Sequence, residues 1–289
     1  MHSSISNYKT IFKSVNLYAT VELSDILHPM TNPVIIIIAD YGVGDPAFSE
    51  VELQLLTRIP QATILPQSTP PFSTLNTGFW IYQLGMAEGL RNTFIYSNTA
   101  PRFEDDAAQK NNKGEKFAYA KLKNGIEVMA VYAGFTFSFI KPHIETFHLV
   151  NVLNEGSQFR FRDNFPEAIA SMIVKDKTVI GEQISTENIP DAPSLRIGSI
   201  DGYGNIKTTT RLSECTYEPG QIIKISLNNK TLEATFTDGI FNIPQGHLAF
   251  APGSSGHDDR FMEIFYRGKS AWELFEKPAV ESSFILSLT

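Results

Sequence analysis

The sequence predicts an α/β amino-terminal domain with a mostly parallel sheet, followed by a smaller antiparallel, barrel-like β domain. Three observations predict it. Up to about residue 180, short β-branched apolar runs alternate with segments of helical spacing, the pattern of a βαβ layer. Beyond it, apolar and alternating runs are separated by Asn-Asn, Asp-Gly and Pro-Gly breaks, the pattern of antiparallel strands. The length of 289 residues, 42% of them hydrophobic, suits two domains of roughly 100–200 residues.

Residues 1–32 mix Ser, Asn, Lys and isolated apolar residues without a period and read as an extension. The run 34–39 (Val-Ile-Ile-Ile-Ile-Ala) has no polar face, so it reads as a strand buried on both sides. Segments 62–65, 92–96 and 127–132 read as further strands. Between them, 49–59 and 73–90 carry helical spacing, with Val51, Leu55 and Ile59 on one face and Leu75, Phe79 and Tyr82 on another. The stretch 102–125 is rich in Asp, Glu, Lys and Asn, and reads as a polar surface loop or hairpin insertion. Two prolines in 178–193 mark a linker, which divides the chain into an α/β domain at 33–180, a linker at 181–193 and a β domain at 194–289. In the β domain, 195–200, 221–227, 231–236 and 260–266 read as strands, with Asn228-Asn229-Lys230 as a hairpin connection because Asn tolerates positive φ.

Composition narrows the function. Lys and Arg number 24 against 31 Asp and Glu, a net charge of −7 with no basic stripe, which argues against a nucleic-acid partner. Cys215 is the single cysteine, so an intrachain disulfide and a thiolate-rich zinc site are excluded and a reducing compartment fits. The longest apolar runs, 34–39 and 128–133, are far shorter than the roughly 20 residues of a spanning helix, so no membrane association and a cytoplasmic location are expected.

The first candidate site is Ile38-Ala-Asp40-Tyr-Gly-Val-Gly-Asp45-Pro, where a strand ends in an acidic residue and a glycine turn. Open α/β sheets bind ligands at this carboxyl edge, and a carboxylate there can accept both hydroxyls of a ribose. Alternatively, Asp40 caps the helix that begins near Pro46. Neither a dinucleotide GxGxxG nor a phosphate-binding GK[ST] loop occurs.

Further along, an ordered series of motifs appears: Ile64-Leu-Pro-Gln-Ser-Thr-Pro-Pro-Phe72, Ser157-Gln-Phe-Arg-Phe-Arg-Asp-Asn-Phe165, Ile200-Asp-Gly-Tyr-Gly-Asn-Ile206, Gly253-Ser-Ser-Gly256, Met262-Glu-Ile264 and Gly268-Lys-Ser-Ala271. With the Asp40 segment, this series resembles the S-adenosylmethionine hydroxide adenosyltransferases, relatives of the fluorinating and chlorinating enzymes, over roughly 33–275. The resemblance implies a homotrimer whose ligand site lies between neighbouring subunits, with S-adenosylmethionine as substrate or ligand, no other cofactor and no metal. It places Asp40 on the ribose hydroxyls, Asp201, Tyr203 and Asn205 on the methionine side or the nearby wall, and Ser254 with the backbone around Met262 to Tyr266 facing the adenine.

The departures from the family pattern fall on the chemistry. Where its hydrolytic members carry an Asp, an Arg and a His that handle water, this chain has Ser97, Arg102 two residues early, and Arg160. The family's DITH histidine is Gln67 here. Losing the carboxylate and the one group that titrates near neutrality weakens general-base help to water. Ser97 either bonds a nucleophile or caps a turn; Arg160, with Arg102, either holds an anion or forms an ion pair with Asp163 or another carboxylate. The implied activity is displacement at the ribose C5′ by water, giving adenosine and methionine; the alternative is a catalytically impaired nucleoside-binding sensor or structural trimer.

Weaker candidates complete the set. His143, Glu145 and His148 have a spacing that admits metal chelation, and His257-Asp258-Asp259 is either a cation site or a solvated loop. Cys215 reads as an inert thiol, and Phe79, Trp80 and Tyr82 as helix packing with one ring available to wall a pocket.

Overall fold

The computed structural model of the protein describes residues 32–88, 92–101 and 113–289, so the expected extension at 1–32 lies, apart from Asn32, outside the described residues. Residues 32–289 form one compact unit built on two seven-stranded sheets.

In the first sheet, β1 (Val34–Ala39) pairs in parallel with β2 (Thr63–Ser68) and β3 (Thr93–Asn98), and β3 pairs in parallel with β5 (Glu127–Val131). The remaining strands, β4 (Phe117–Leu122), β6 (Ile144–Val150) and β7 (Ile180–Gln183), add antiparallel pairings, giving the order β2-β1-β3-β5-β4-β6-β7. This mixed sheet, in a described chain where strand outweighs helix, overturns the expected α/β domain with a mostly parallel sheet. The source of the error is local. The 102–125 stretch, expected as a polar surface loop or a hairpin insertion, contains β4 as the first arm of a hairpin whose Asn124-Gly125 turn folds it back on β5, with Gly125 at φ 89° and Leu122 N–H donating to Ile126 O at 2.8 Å. A hairpin in place of a helical crossover sets β4 antiparallel to β5, and the antiparallel pairing continues through β6 and β7. The segment expected as linker, 181–193, opens inside edge strand β7.

Helix α1 (Pro46–Arg58) begins at Pro46, where the capping reading placed its start, three residues before the 49–59 spacing. Its N-cap is Asp45, whose carboxylate accepts from Ala47 N–H at 2.9 Å with Pro46 in the first turn, so the capping role falls to Asp45 and not to Asp40. Helix α2 (Thr74–Gly85) is capped by Ser73, which accepts from Asn76 N–H, and ends five residues before the expected Leu90. Two short helices, α3 (Arg160–Asp163) and α4 (Pro166–Ile173), lie with α1 on one face of the sheet, sharing a core with Ile35, Ile37, Tyr96 and Met129. Helix α2 covers the other face with Ile36, Ile38, Ile95 and Val128. It is buried on nearly every side because its outer face meets the second sheet: Phe79 packs on Phe261 with ring centroids 4.9 Å apart.

The second sheet runs β14-β10-β11-β12-β13-β9-β8 and curls into a half-barrel. It comprises β8 (Ile197–Ile200), β9 (Ile206–Arg211), β10 (Ile222–Leu227), β11 (Lys230–Phe236), β12 (Leu248–Pro252), β13 (Phe261–Tyr266) and β14 (Ile285–Leu288), with the small helix α5 (Ala271–Leu274) against β13. Asn228 and Asn229, at φ 50° and 62°, make the β10–β11 hairpin. Strands β11 and β12 pair in parallel, so this sheet too is mixed where an antiparallel domain was expected. No helix among the described residues is long and apolar enough to cross a membrane.

Candidate functional site

The parallel strands β1, β2 and β3 end together, and their ends are cross-tied. Asp40 N–H donates to Asn98 O at 3.3 Å, and Asn98 Nδ2 donates to Tyr41 Oη at 2.9 Å. The Asp40 carboxylate accepts from Phe72 N–H at 3.0 Å, and Phe72 holds a left-handed φ of 64°. Asp40 therefore stands at the carboxyl edge of the sheet, at the centre of a bonded corner between β1 and the chain leaving β2.

Opposite β2, the turn between β8 and β9 is organised by Asp201. Its Oδ1 accepts from the N–H groups of Tyr203 (2.9 Å) and Asn205 (3.0 Å), and its Oδ2 accepts from Asn205 Nδ2 (2.9 Å). Gly204 takes φ 79°, and a Cβ there would fall 2.0 Å from Ser270 Oγ, so only glycine fits where the turn meets the start of α5. Trp272 N–H closes the contact on Gly204 O at 2.9 Å. Tyr203, 84% exposed, stands out from this turn.

Between β2 and the turn lies a cleft of about 650 Å³, lined among others by Gln67, Ser68, Trp80, Asp201, Tyr203 and Trp272. Both tryptophans of the chain face it. Two indoles and hydrogen-bonding groups from three separate elements suit a planar heteroaromatic ligand carrying polar substituents. Residues that sequence reasoning passed over are Trp272 and Asn76; Ser270 was named only within the 268–271 motif, and Trp80 as helix packing or as one of three rings available to wall a pocket. The signal available was the rarity of tryptophan, although nothing local says that positions 80 and 272 meet.

The other expected residues distribute differently. Ser254 is exposed; its Oγ accepts from Lys207 Nζ at 3.0 Å, and its N–H donates to Glu263 Oε1 at 2.9 Å. Asp40, Asn205 and Ser254 are not among the residues lining the cleft. Ser97 is fully buried on β3, paired with Ile38 and Ala130 on the α2 face, and its Oγ has no hydrogen-bond partner among the described residues, so it caps no turn there. Arg160 begins α3 on the opposite face, where Tyr96 Oη donates to Phe161 O at 2.6 Å. Its Nη2 lies 4.0 Å from Glu115 Oε2, while Asp163 pairs with Arg162 instead. The sheet thus separates Ser97 from Arg160, and Arg102 lies outside the described residues.

The histidines also part. His143 packs on the Tyr82 ring at 5.7 Å, whereas His148 Nδ1 lies 3.3 Å from Gly181 O. His257 Nε2 lies 3.0 Å from Gln83 O, and Asp259 bonds Ser213 through both carboxylate oxygens. Among the described residues, no three His, Cys, Asp or Glu side chains are grouped to hold a metal ion. Burial, with Glu214 and Asp259 adding charge, pushes the Cys215 thiol up to about 11.

No family model and no curated protein matches the chain. Among solved structures, it is similar to an uncharacterized conserved protein from Thermotoga maritima, with a TM-score of 0.68 and 14% identity over 88% of this chain and 100% of that one. It is likewise similar to a conserved hypothetical protein from Thermus thermophilus, with a TM-score of 0.63 and 14% identity over 88% of this chain and 100% of that one. At this identity the likeness shows the fold.

Proposed function

We propose that this protein binds an adenosyl nucleoside, S-adenosylmethionine first among them, and that it works as a binding protein in which water activation is impaired. One observation carries the reading. The 64–72 and 200–206 segments, which resemble ligand-binding segments of the hydroxide adenosyltransferases, come from different sheets yet line one cleft beside both tryptophans. Separation of Ser97 from Arg160 by the first sheet supports impaired chemistry, because general-base catalysis needs its groups within hydrogen-bond reach of one reacting atom. The resemblance adds a homotrimer with Asp40 on the ribose of a ligand shared between subunits, and the lone cysteine supports a cytoplasmic setting.

Tryptophan emission reports on this cleft directly. Titration with S-adenosylmethionine, and separately with adenosine, is expected to give saturable quenching that Trp80→Phe and Trp272→Phe each reduce. Chromatography of the same mixture is expected to show no adenosine or methionine above the uncatalysed rate. Absence of quenching and of heat at millimolar ligand would overturn the binding reading; product formation would establish the hydrolase in its place.

A further inference from the structure

A second cleft, of about 470 Å³, opens on the other side of α2, between the 3₁₀ helix Ser138–His143, the 186–192 segment and Arg211 at the end of β9. It shares no lining residue with the first. Arg211 is held rigidly here. Its guanidinium carbon lies 4.4 Å from the Phe261 ring centroid and 4.8 Å from that of Tyr82, and Nη1 donates to Asp259 O at 2.9 Å and Tyr82 Oη at 3.3 Å. Yet this oriented cation has no carboxylate partner among the described residues. The acidic residues nearby are engaged elsewhere: Glu214 accepts from Ser194 Oγ and the Arg211 backbone N–H, and Asp259 accepts from Ser213.

Ser138, 3% exposed, is among the lining residues, but its Oγ is closed off from solvent and has no hydrogen-bond partner among the described residues, so Arg211 is the polar group that the cleft offers a ligand. Lys141 adds no net charge, since its Nζ pairs with Asp191 Oδ1 at 2.7 Å. Glu187, exposed at the rim, repels a multiply charged anion. Phe139, Pro142 and Ala192 make an apolar part of the wall, and Thr186 completes the lining.

We propose that this cleft is a second binding site, taking a small monocarboxylate whose charge pairs with Arg211 and whose apolar end lies on Phe139, Pro142 and Ala192. Planar guanidinium and carboxylate match in a two-pronged pair, and the aromatic faces beneath Arg211 fix its plane in advance. The site does not depend on the nucleoside reading.

The test uses the full chain with phenylacetate as probe and benzyl alcohol as its uncharged counterpart, followed by calorimetry. Phenylacetate is expected to bind saturably, one per chain, and benzyl alcohol not to bind. Arg211→Gln is expected to weaken phenylacetate binding at least about tenfold, the loss of one charged hydrogen-bonded pair. Arg211→Lys, which keeps the charge should the glutamine variant fail to fold, is expected to bind with intermediate affinity. Saturating phenylacetate should leave an S-adenosylmethionine titration unmoved, so failure of either site is visible separately. Equal binding by wild type and Arg211→Gln, or no saturable binding, would overturn the proposal. So would sedimentation showing that Arg211→Gln dissociates an oligomer that ignores phenylacetate, which would assign the carboxylate to a second copy.

Discussion

Lys207 and Glu263 face each other across β9 and β13 as a 2.7 Å ion pair with 7% and 2% of their side chains exposed. Ser254 completes the arrangement, accepting from Lys207 and donating its N–H to Glu263, and a Cβ on Gly253 would fall 1.9 Å from Glu263 Oε1. Removing one charge strands the other in the sheet. Lys207→Met is expected to cost about 3–5 kcal/mol in urea unfolding, whereas Lys207→Met combined with Glu263→Leu recovers most of the loss. Equal destabilisation by the single and the double variant would refute a stranded charge as the cause.

The Asp201 turn separates structural from ligand roles. Asp201→Ala removes three hydrogen bonds and is expected to lower stability by about 1–3 kcal/mol. Tyr203→Ala, at an exposed ring, should stay within about 0.5 kcal/mol of wild type and yet weaken S-adenosylmethionine binding. Thermal unfolding measured beside the fluorescence titration decides both.

Cys215 should resist alkylation. With its thiol pushed up to about 11 from an ordinary 9.0, the thiolate fraction at mildly alkaline pH is on the order of a hundredfold below that of the unfolded chain. Iodoacetamide labelling followed by mass spectrometry is expected to be slow in the native protein and fast in guanidinium. Rapid native labelling would contradict the burial.

Burial holds His143 below the usual histidine range, reinforced by the charges of Arg211, Lys123 and His257. The unfolded chain therefore takes up this proton first as pH falls, so the contribution of His143 to stability is intact above the ordinary value near 6.5 and declines below it. Between about pH 7 and 5, wild type is expected to lose more thermal stability than His143→Gln. Parallel melting curves for the two proteins would disprove the assignment.

Sequence alone determined the elements whose signal is local. The run 34–39 is buried on both faces because its composition leaves no polar side to expose, and Asn228-Asn229 turns because asparagine accepts positive φ. Asp40 at a strand end and the 200–206 turn were legible for the same reason. A strand whose polar residues leave it no apolar face was not. In β9, Lys207 and Thr208–Thr210 show no apolar face, yet they are buried because Glu263 and Met262 O, more than fifty residues away, receive the Lys207 ammonium and the Thr208 hydroxyl. Strand direction in the first sheet was likewise decided by the Asn124-Gly125 hairpin, which inserts β5 between β3 and β4. Only tertiary structure could bring Trp80 and Trp272 to one cleft, or set Ser97 and Arg160 on opposite faces. Periodicity reports which side of an element is apolar; which partner satisfies that side, and which distant polar groups neutralise each other, is decided by long-range packing.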